Sequence, residues 1–505
     1  MSASATEPCL VGLDLGSSAV KAGVFSPDGR TLAAASVEVP TCAPRPGWKE
    51  QDPECWWRAA CSALRQSLAA APTQRVAALG ATGHVCSLTF LDEQGAPVRP
   101  AIVFQDQRAI AEVDELSARF SRAELAAALG VDLPPSPAWP LPRLLWFRKH
   151  EPATLARARR LVQAKDYVNF RLTARLASDA ASNRGLVDLE TGAAACGLLE
   201  AFDLPSSLVP EILAPQEVLG RVAAEAAAET GLPAGTPVVT GWNDLNAAVL
   251  GAGNCRDGDA FNVTGTSEHL GLTVAGRPHS PVLTCAPYLP GLRLFYGVTT
   301  SGGGSLEWFR RVTGEPLDEL VPAAGGVTAG AQGLLFLPYL AGERAPIWDP
   351  RASGAFIGIR NSHARPHFTR AVLEGVAFSL RQIAALAWAA SGRRPESVRV
   401  CGGASRLRLW NQIKADVLET EIAVPECPHA GALGAAMLAA VGTGAFPDFP
   451  TAIAAMTRIQ ERLLPRARES AIYRELYEIY CELYPALRAS FARLHAHAGE
   501  TDTTS

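Results

Sequence analysis

The chain has 505 residues, more than a single hydrophobic core normally spans, so at least two large domains are expected. The 46 Lys and Arg residues against 50 Asp and Glu give a net charge of −4, which offers no electrostatic basis for binding nucleic acid or an anionic membrane. Eleven cysteines without a CxxC pair favour reduced thiols over a disulfide framework or a zinc site.

The first residues, MSASATEPC, lack the basic and apolar regions of a signal peptide. No uninterrupted apolar run reaches the roughly 20 residues that a transmembrane helix needs. We therefore expect a soluble, cytoplasmic protein.

The first motif is LVGLDLGSSAVKAGV, residues 10–24, which predicts a β-hairpin with Gly16, Ser17 and Ser18 in its turn. Backbone N–H groups in such a turn can cradle phosphate oxygens. The carboxylate of Asp14 at the edge of the turn would repel a phosphate unless a divalent cation lay between them. An ordinary core hairpin with an acidic turn explains these residues equally well.

A mixed α/β pattern follows the hairpin. Residues 31–39 predict a third strand, Pro53 begins an amphipathic helix that runs to Ala71, and residues 76–83 predict a buried strand. Residues 101–108 (AIVFQDQR) lead from a strand into a polar loop, and residues 121–230 are mostly helical in pattern. Antiparallel strands followed by alternating helices and strands indicate an α/β fold with a mixed sheet.

A similar hairpin recurs about 250 residues later, in AFNVTGTSEHLGLTV at residues 260–274. Its turn holds Gly265, Thr266 and Ser267, again small residues with N–H and hydroxyl donors. The repeat predicts two related domains, each with one phosphate-binding hairpin. Chance similarity between two short hairpins is the alternative.

The rest of the second half continues the alternation. A long helix is predicted at residues 367–388, and a strand at 398–401 runs into a glycine-rich loop before a helix at 410–420. A small-residue helix is predicted at 431–440, and residues 451–497 have an amphipathic helical pattern.

These motifs together resemble those of the FGGY carbohydrate kinases, and among them the xylulokinases. The resemblance runs through DLGSS, EQDPECWW, AIVFQDQR, ASDAASNRGLVD, VVTGWNDLNAAVLGAG, NVTGTSE, FLPYLAGERAP and CGGASRLRLWNQIKAD. Residues 354–375 meet every position of the family's second signature. The first signature is matched less well, because Arg143 stands where the family has lysine and Ala138 also departs.

The resemblance implies an α/β protein of two ribonuclease H-like domains, of the actin and sugar-kinase type, with a central ligand cleft. Residues 1–245 would form the N-terminal domain with the sugar site and the first phosphate hairpin. Residues 246–450 would form the nucleotide-binding domain with the second hairpin, and residues 451–505 a C-terminal helical extension.

The resemblance also assigns roles to single residues. Asp14 would help to hold Mg²⁺ beside the phosphates of ATP, with Gly16, Ser17 and Ser18 as phosphate donors. Asp244 matches the catalytic base, which accepts the hydroxyl proton during phosphoryl transfer. Asp244 also suits a helix N-cap, and the two roles are compatible.

The nucleotide would be bound from the second half. The residues implied are Gly265, Thr266 and Ser267 for the phosphates, and Gly402, Gly403, Ala404, Ser405 and Asn411 for the adenosine side. Trp410 is expected to be core packing.

The candidates for binding sugar hydroxyls are His84, Asp106, Arg108, Trp242, Asp244 and Asn246. A surface ion pair is the alternative for Arg108. Two departures from the xylulokinases alter hydrogen-bonding groups: Cys86 stands at the usual histidine, and Leu245 where asparagine is frequent. The Arg-Glu pair of glycerol kinases is absent, which argues against glycerol.

The resemblance therefore implies ATP-dependent phosphorylation of a primary hydroxyl of a ketopentose, and it favours D-xylulose going to D-xylulose 5-phosphate. Another sugar or polyol (ribulose, erythritol, gluconate or a hexulose), or a non-catalytic sensor of the same fold, is the alternative. The expected partners are a small sugar and ATP with Mg²⁺, without nucleic acid or membrane, and homodimerisation is left open.

Overall fold

A computed structural model describes residues 8–71 and 75–502, with side chains to residue 497. Residues 1–7, which bear on the absence of a signal peptide, lie outside the described residues. The strands are β1 (Pro8–Leu15), β2 (Ala19–Phe25), β3 (Thr31–Glu38), β4 (Glu50–Gln51), β5 (Arg75–Gly83), β6 (Thr89–Leu91), β7 (Ala101–Ile102), β8 (Arg160–Val162), β9 (Ala177–Ser178), β10 (Glu211–Ile212), β11 (Val218–Arg221), β12 (Pro237–Val239), β13 (Trp242–Asn243), β14 (Ala260–Thr264), β15 (Glu268–Val274), β16 (Thr284–Pro287), β17 (Arg293–Thr299), β18 (Leu335–Leu337), β19 (Ala355–Ile357), β20 (Ser397–Gly402), β21 (Glu421–Pro425) and β22 (Ile459–Leu463).

The helices alternate with these strands along the chain. They are α1 (Pro53–Ala70), α2 (Ile110–Arg119), α3 (Arg122–Leu129), α4 (Pro140–His150), α5 (Pro152–Arg157), α6 (Ala164–Thr173), α7 (Cys196–Glu200), α8 (Ala224–Thr230), α9 (Asp244–Gly251), α10 (Gly303–Thr313), α11 (Leu317–Gly325), α12 (Arg365–Ser391), α13 (Arg408–Leu418), α14 (Ala430–Gly442), α15 (Phe449–Met456) and α16 (Ala467–Asp502).

The chain divides into two compact units. The first contains the described residues up to Cys255 together with His429–Thr457, and the second contains Arg256–Pro428 and the chain from Arg458 onward. These boundaries differ from the predicted division after residues 245 and 450. The difference arises because α9 and α14 both pack on the sheet of the first unit, so the chain returns to that unit after most of the second is built.

The main sheet of the first unit has the strand order β11-β12-β5-β1-β2-β3, and β13 also pairs with β5. Strands β1, β2 and β3 form the predicted antiparallel meander, while β1, β5 and β12 are parallel. Helix α1 begins at Pro53 with Asp52 as its N-cap, and it buries Trp56 and Trp57 in the core beside these strands. The mixed α/β sheet predicted from the sequence is confirmed.

The second unit repeats this topology. Its sheet order is β16-β17-β15-β14-β20-β21-β22; β15 is antiparallel to both of its neighbours, β17 and β14, whereas β14, β20 and β21 are parallel. With β14 as the counterpart of β1, six strands of each sheet correspond in order: β11-β12-β5-β1-β2-β3 in the first and β22-β21-β20-β14-β15-β17 in the second. The strands β11 and β22 are both antiparallel to their neighbours. The two hairpins therefore hold equivalent places in two related sheets.

Helix α12 has the length and apolar composition of a membrane span, but most of that apolar stretch is buried inside the protein. Its buried residues pack with α13 and α16 in one core of the second unit. This burial is the pattern of a core helix in a globular domain.

The predicted secondary structure is wrong at residues 451–497 and in part at residues 121–230, where the strands β8, β9, β10 and β11 lie among short helices. Residues 451–497 were expected to be helical throughout, but they contain α15, the strand β22 and most of α16. The strand pairs antiparallel with the edge of β21, and Leu463 buries its side chain in the core. The alternating sequence IQERL fits a strand at a sheet edge once β21 is available as its partner.

Glycines bring α14 into backbone contact with the first sheet. A methyl group on Gly12 of β1 would lie 1.8 Å from the carbonyl oxygen of Ala432, and one on Gly80 of β5 would lie 2.0 Å from that of Ala435. On its other side, Gly434 faces α9, and a methyl group there would lie 1.9 Å from the carbonyl oxygen of Ala247. The helix is therefore held at a separation that only glycine allows.

We expect Gly434→Ala to destabilise the protein, although alanine is the better helix former. The added methyl group meets a backbone oxygen rather than a movable side chain, so we expect a loss of about 2 kcal/mol, in the range of overpacked cores. Thermal unfolding of both proteins measures this. The control is Gly197→Ala in α7, where a methyl group meets nothing within 4 Å. Equal melting temperatures for the two variants would contradict the close packing.

Candidate active site

Asp14 lies at the end of β1, opposite Lys21 on β2 and Thr82 on β5 in the sheet register. Its carboxylate is half-buried and has no hydrogen-bond or ion-pair partner among the described residues. The first turn of α14 approaches it closely, since a methyl group on Gly431 would lie 2.8 Å from Asp14 Oδ2. Asp14 thus presents a carboxylate to the N-terminus of a helix, where the peptide dipoles favour negative charge.

Asp244 is the first residue of α9 and follows β13 directly. Strand β13 pairs with β5 through Trp242 opposite Thr82, and the Thr82 hydroxyl donates to the carbonyl of Trp242 at 2.9 Å. Asn243 is the helix N-cap, with Oδ1 accepting from the backbone N–H of Asn246 at 2.8 Å. The capping role is therefore filled by Asn243, and the Asp244 side chain is exposed to solvent.

The two carboxylates influence each other. Although Asp244 keeps access to solvent, desolvation by the surrounding protein raises its pKa to about 6, and repulsion from Asp14 adds to the rise. A hydrogen bond from Leu245 N–H and the charge of Arg184 oppose it. Burial also raises the pKa of Asp14, opposed by Lys21. A carboxyl with a pKa near neutrality is well placed to accept a proton from an alcohol during phosphoryl transfer.

Arg184 has a place in the site that the sequence motifs did not predict. Its charge acts on both Asp244 and Cys86, which places it beside the catalytic candidate. It belongs to the ASDAASNRGLVD motif already noted, but nothing in the motif indicated which residue would face Asp244.

His84 begins a buried turn after β5. Its backbone N–H donates to the carbonyl of Leu15, next to Asp14, and its Nδ1 lies 2.5 Å from Ser87 Oγ. Burial lowers the pKa of His84 to about 4, so the imidazole is neutral at physiological pH. Its Nε2 is buried without a partner in the described part of the chain, which leaves one ring nitrogen for a ligand.

Asp106 and Arg108 form a buried ion pair with Nη2 to Oδ2 at 2.8 Å. Asp106 also accepts from the backbone N–H of Lys49 at 2.6 Å, and Arg108 reaches Glu50 Oε1 at 2.7 Å. The guanidinium lies over the ring of Trp48, 3.7 Å from its centroid. Asp106 is thus engaged by protein donors, whereas Nη1 of Arg108 is buried without a partner among the described residues.

Trp242 and Asn246, the remaining candidates for the sugar, are both buried beside Asp244. The backbone of Asn246 is held by the cap, and its side-chain amide makes no hydrogen bond within the residues described. The structure therefore brings Asp14, Asp244 and Asn246 together at the ends of β1 and β13, near the turn that carries His84.

In the second unit, Gly265, Thr266 and Ser267 form the turn between β14 and β15, and Gly265 and Thr266 are exposed. The N-terminus of α10 fixes this turn, because Gly303 and Gly304 donate N–H groups to the carbonyls of Gly265 and Thr266 at 2.8 and 2.9 Å. In both hairpins the N–H of the turn glycine donates within the hairpin, from Gly16 to the carbonyl of Ala19 and from Gly265 to that of Ser267, each at 3.0 Å.

The loop after β20 contains Gly402, Gly403, Ala404 and Ser405. Gly402 has φ +95° and lies against β14, where a methyl group would meet the carbonyl oxygen of Thr264 at 2.1 Å. A methyl group on Gly403 would meet nothing within 4 Å, so the backbone there is open to a ligand.

Two residues of the helix α13 follow this loop. The Asn411 amide donates to the carbonyl of Ser405 at 2.7 Å, while its Oδ1 has no partner in the described residues. Trp410 is completely buried and donates to the carbonyl of Leu373 at 3.0 Å, so the prediction of core packing is confirmed.

The chain matches both domains that define a known kinase family. Residues 9–251 match the N-terminal domain of the FGGY family of carbohydrate kinases, and residues 260–443 match its C-terminal domain. The chain belongs to the FGGY family of carbohydrate kinases. This FGGY kinase has the two-domain α/β fold of the actin and ribonuclease H type, and its family phosphorylates sugars with ATP.

Relatives of this FGGY kinase span nearly its whole length. It is 31% identical to the xylulose kinase of Escherichia coli, over 94% of this chain and 99% of that protein. The solved xylulose kinase of Rhodospirillum rubrum is 32% identical with a TM-score of 0.84, covering 96% of this chain and 100% of that one. The gluconokinase of Bacillus subtilis is 27% identical, over 96% of this chain and 97% of that protein.

We expect Asp244 to titrate at about pH 6 in the ligand-free FGGY kinase, which ¹³C NMR of labelled aspartate carboxyls can follow. Asp244→Asn should remove that resonance. Asp14→Asn should lower the pKa of Asp244, because a neutral amide no longer repels the ionised form. A pKa of Asp244 that is unchanged in Asp14→Asn would show that the two carboxylates are not coupled.

Proposed function

We propose that this kinase transfers the γ-phosphoryl group of ATP to the primary hydroxyl of D-xylulose, giving D-xylulose 5-phosphate and ADP. The observation that carries the reaction is Asp244, a solvent-exposed carboxylate at the start of α9 whose pKa is raised to about 6. Two full-length relatives that are xylulose kinases, at 31% and 32% identity, support the substrate.

In this proposal Asp244 accepts the hydroxyl proton as the sugar oxygen bonds to the γ-phosphorus. The bond from that phosphorus to the β-γ bridging oxygen breaks, and the bridging oxygen leaves with ADP. The hydrogen bond from Leu245 N–H to Asp244 Oδ1, at 2.7 Å, orients the carboxylate. The other oxygen is left to face the hydroxyl.

Asp14 fits the role of a Mg²⁺ ligand. Its carboxylate has no protein partner in the described residues and stands close enough to Asp244 for mutual repulsion, so a cation there would relieve an unfavourable charge. Oxygen ligands of this kind suit Mg²⁺, which commonly takes one or two carboxylates besides phosphates and water. Bound Mg²⁺ would neutralise charge on the β- and γ-phosphates.

We propose that the two hairpin turns bind the phosphates of ATP through backbone N–H groups and hydroxyls. The residues are Gly16, Ser17 and Ser18 in the first unit and Gly265, Thr266 and Ser267 in the second. Gly402, Gly403, Ala404 and Ser405 would lie along the adenosine, with the free Oδ1 of Asn411 as an acceptor.

On the sugar side, the groups without protein partners are the best candidates. They are His84 Nε2, Arg108 Nη1 and the Asn246 amide, with Trp242 beside them. Hydroxyls of xylulose would satisfy these donors and acceptors, which are costly to leave buried alone. Asp106 would act through Arg108, because its own oxygens already accept protein hydrogen bonds.

Gluconate is the second candidate substrate. The gluconokinase of Bacillus subtilis resembles the chain over 96% of its length, and Arg184 supplies a cation beside Asp244 that would suit a carboxylate. With either substrate we propose a cytoplasmic enzyme, because ATP is available there and the thiols of its cysteines stay reduced.

A panel of sugars tests the substrate. With ATP and Mg²⁺, we expect kcat/KM for D-xylulose to exceed that for ribulose, erythritol, gluconate, fructose and glycerol by at least about tenfold, since a site built on hydroxyl contacts discriminates strongly. A higher value for gluconate would identify a gluconokinase. No turnover of xylulose above the other compounds would refute the proposal.

Asp244→Asn tests the base. We expect kcat to fall by roughly 10²- to 10⁴-fold, the usual contribution of a general base, while calorimetry still detects sugar binding. Asp114→Asn, which removes an exposed carboxylate from α2, is the control and should leave kcat unchanged. Near-normal turnover by Asp244→Asn would exclude the role as base.

A further inference from the structure

Arg143 of α4 is completely buried, and its guanidinium donates only to backbone carbonyl groups. Nη1 donates to Cys86 and, at 3.3 Å, to Ile102; Nη2 donates to Val103 at 2.7 Å and to Asp106 at 3.4 Å. Nε donates to Pro137 at 3.0 Å. No carboxylate forms a salt bridge with it in the part of the chain that the structure describes, so its hydrogen bonds go to carbonyl dipoles, with the charge of Asp106 nearby.

The segments joined by Arg143 carry the predicted sugar-binding residues. The turn at Cys86 follows His84, and the segment from Ile102 leads through Asp106 to Arg108. Cys86 has φ +58°, a left-handed conformation that a cysteine seldom adopts unless its surroundings impose it. The hydrogen bond that Arg143 donates to the Cys86 carbonyl is one such constraint, and the one that Ser87 N–H donates to Gln163 Oε1 at 3.0 Å is another.

The 102–106 segment is bound by the same guanidinium, in addition to the backbone hydrogen bonds between Ile102 and Leu88 and from Val103 N–H to Lys49. Three of its carbonyls, those of Ile102, Val103 and Asp106, point at Arg143. Phe104, between them, is 42% exposed although it is a large apolar side chain, so the segment presents an aromatic ring to solvent instead of burying it. The segment is thus bound to Arg143 through its carbonyls, while its central side chain, Phe104, is exposed.

A lysine could not make the same set of bonds. Arginine offers five N–H donors in a planar fork, whereas the lysine ammonium has three donors around one atom. The carbonyls reached by Arg143 come from three separate segments, and a single ammonium nitrogen could not lie within hydrogen-bond distance of all of them.

We propose that Arg143 is a positioning residue for the sugar site: it holds the Cys86 turn and the 102–106 segment at a fixed separation, so that His84 and Arg108 meet the sugar in one geometry. The proposal rests on the sugar-binding role of those residues in the proposed function. It assigns the arginine an effect on sugar affinity, not on the binding of ATP or on the proton transfer at Asp244.

The test is Arg143→Lys, which keeps the charge and most of the volume. We expect KM for the best sugar of the panel to rise by roughly 10- to 100-fold, the scale of a site displaced by about 1 Å, with KM for ATP unchanged. Hydrogen exchange should quicken in peptides covering residues 84–88 and 102–107 and stay the same elsewhere. If the lysine variant does not fold, Arg143→Gln, which introduces no unpaired charge, replaces it in both measurements.

The matched control is Arg370→Lys in the second unit. Arg370 is also a buried arginine, bonded to Glu374 at 2.6 Å, to the Tyr473 hydroxyl at 2.7 Å and to the Val327 carbonyl at 3.2 Å. We expect this variant to lower the melting temperature without raising KM for the sugar. The comparison separates loss of a buried guanidinium in general from loss of this one.

Two results would overturn the proposal. One is a folded Arg143 variant with unchanged KM for the sugar and unchanged exchange in both segments. The other is a rise in KM for sugar and ATP together, matched by Arg370→Lys, which would show general destabilisation. Failure of the wild-type enzyme to phosphorylate any sugar of the panel would instead refute the proposed function, and hydrogen exchange would still decide whether Arg143 holds the segments.

Discussion

The structure of the first unit depends on the contact between α14 and the backbone of its neighbours. Glycines on β1 and β5 let the helix lie against the sheet, and Gly251 and Gly434 let it lie against α9, with methyl-to-oxygen distances near 2 Å if any of them carried a side chain. Because the first turn of α14 stands over Asp14 and α9 begins at Asp244, the same contact places both carboxylates. A methyl group on any of these glycines would push the helix away from its neighbours and so displace both carboxylates.

Placing two carboxylates close together has an electrostatic consequence. Neither of them forms an ion pair in the described residues, and the pKa of each is raised, that of Asp244 to about 6. The arrangement suits a site that awaits a cation and a proton. It contrasts with Asp106, whose charge is met by Arg108 and the backbone N–H of Lys49, and which is accordingly part of the scaffold.

Much of this could be predicted from the sequence because it depends on local pattern. The two hairpins, the helix after Asp52 and the long buried helix α12 follow from periodicity and capping residues, and the repeated turn pointed to two related sheets. The strand β22 was missed because an edge strand of five residues carries little pattern of its own and forms only against β21. Arg184 was missed for a related reason, since its neighbours are distant in the sequence.

The sequence by itself determined the family and the kinase chemistry, and it singled out the two carboxylates proposed for the site, at the ends of β1 and β13. These follow from short ordered motifs, each of which can be read from residues that are adjacent in the chain. Only the tertiary structure decided which polar groups are left for a ligand. Asp106 and Arg108 look alike as candidates in the motif AIVFQDQR, yet one is fully engaged and the other keeps a free Nη1. Likewise the sequence shows Arg143 only as one of two departures from a signature, whereas the folded chain surrounds it with carbonyls from three segments. Hydrogen-bond partners that come from distant parts of the chain exist only once those parts are packed together, so no local pattern records them.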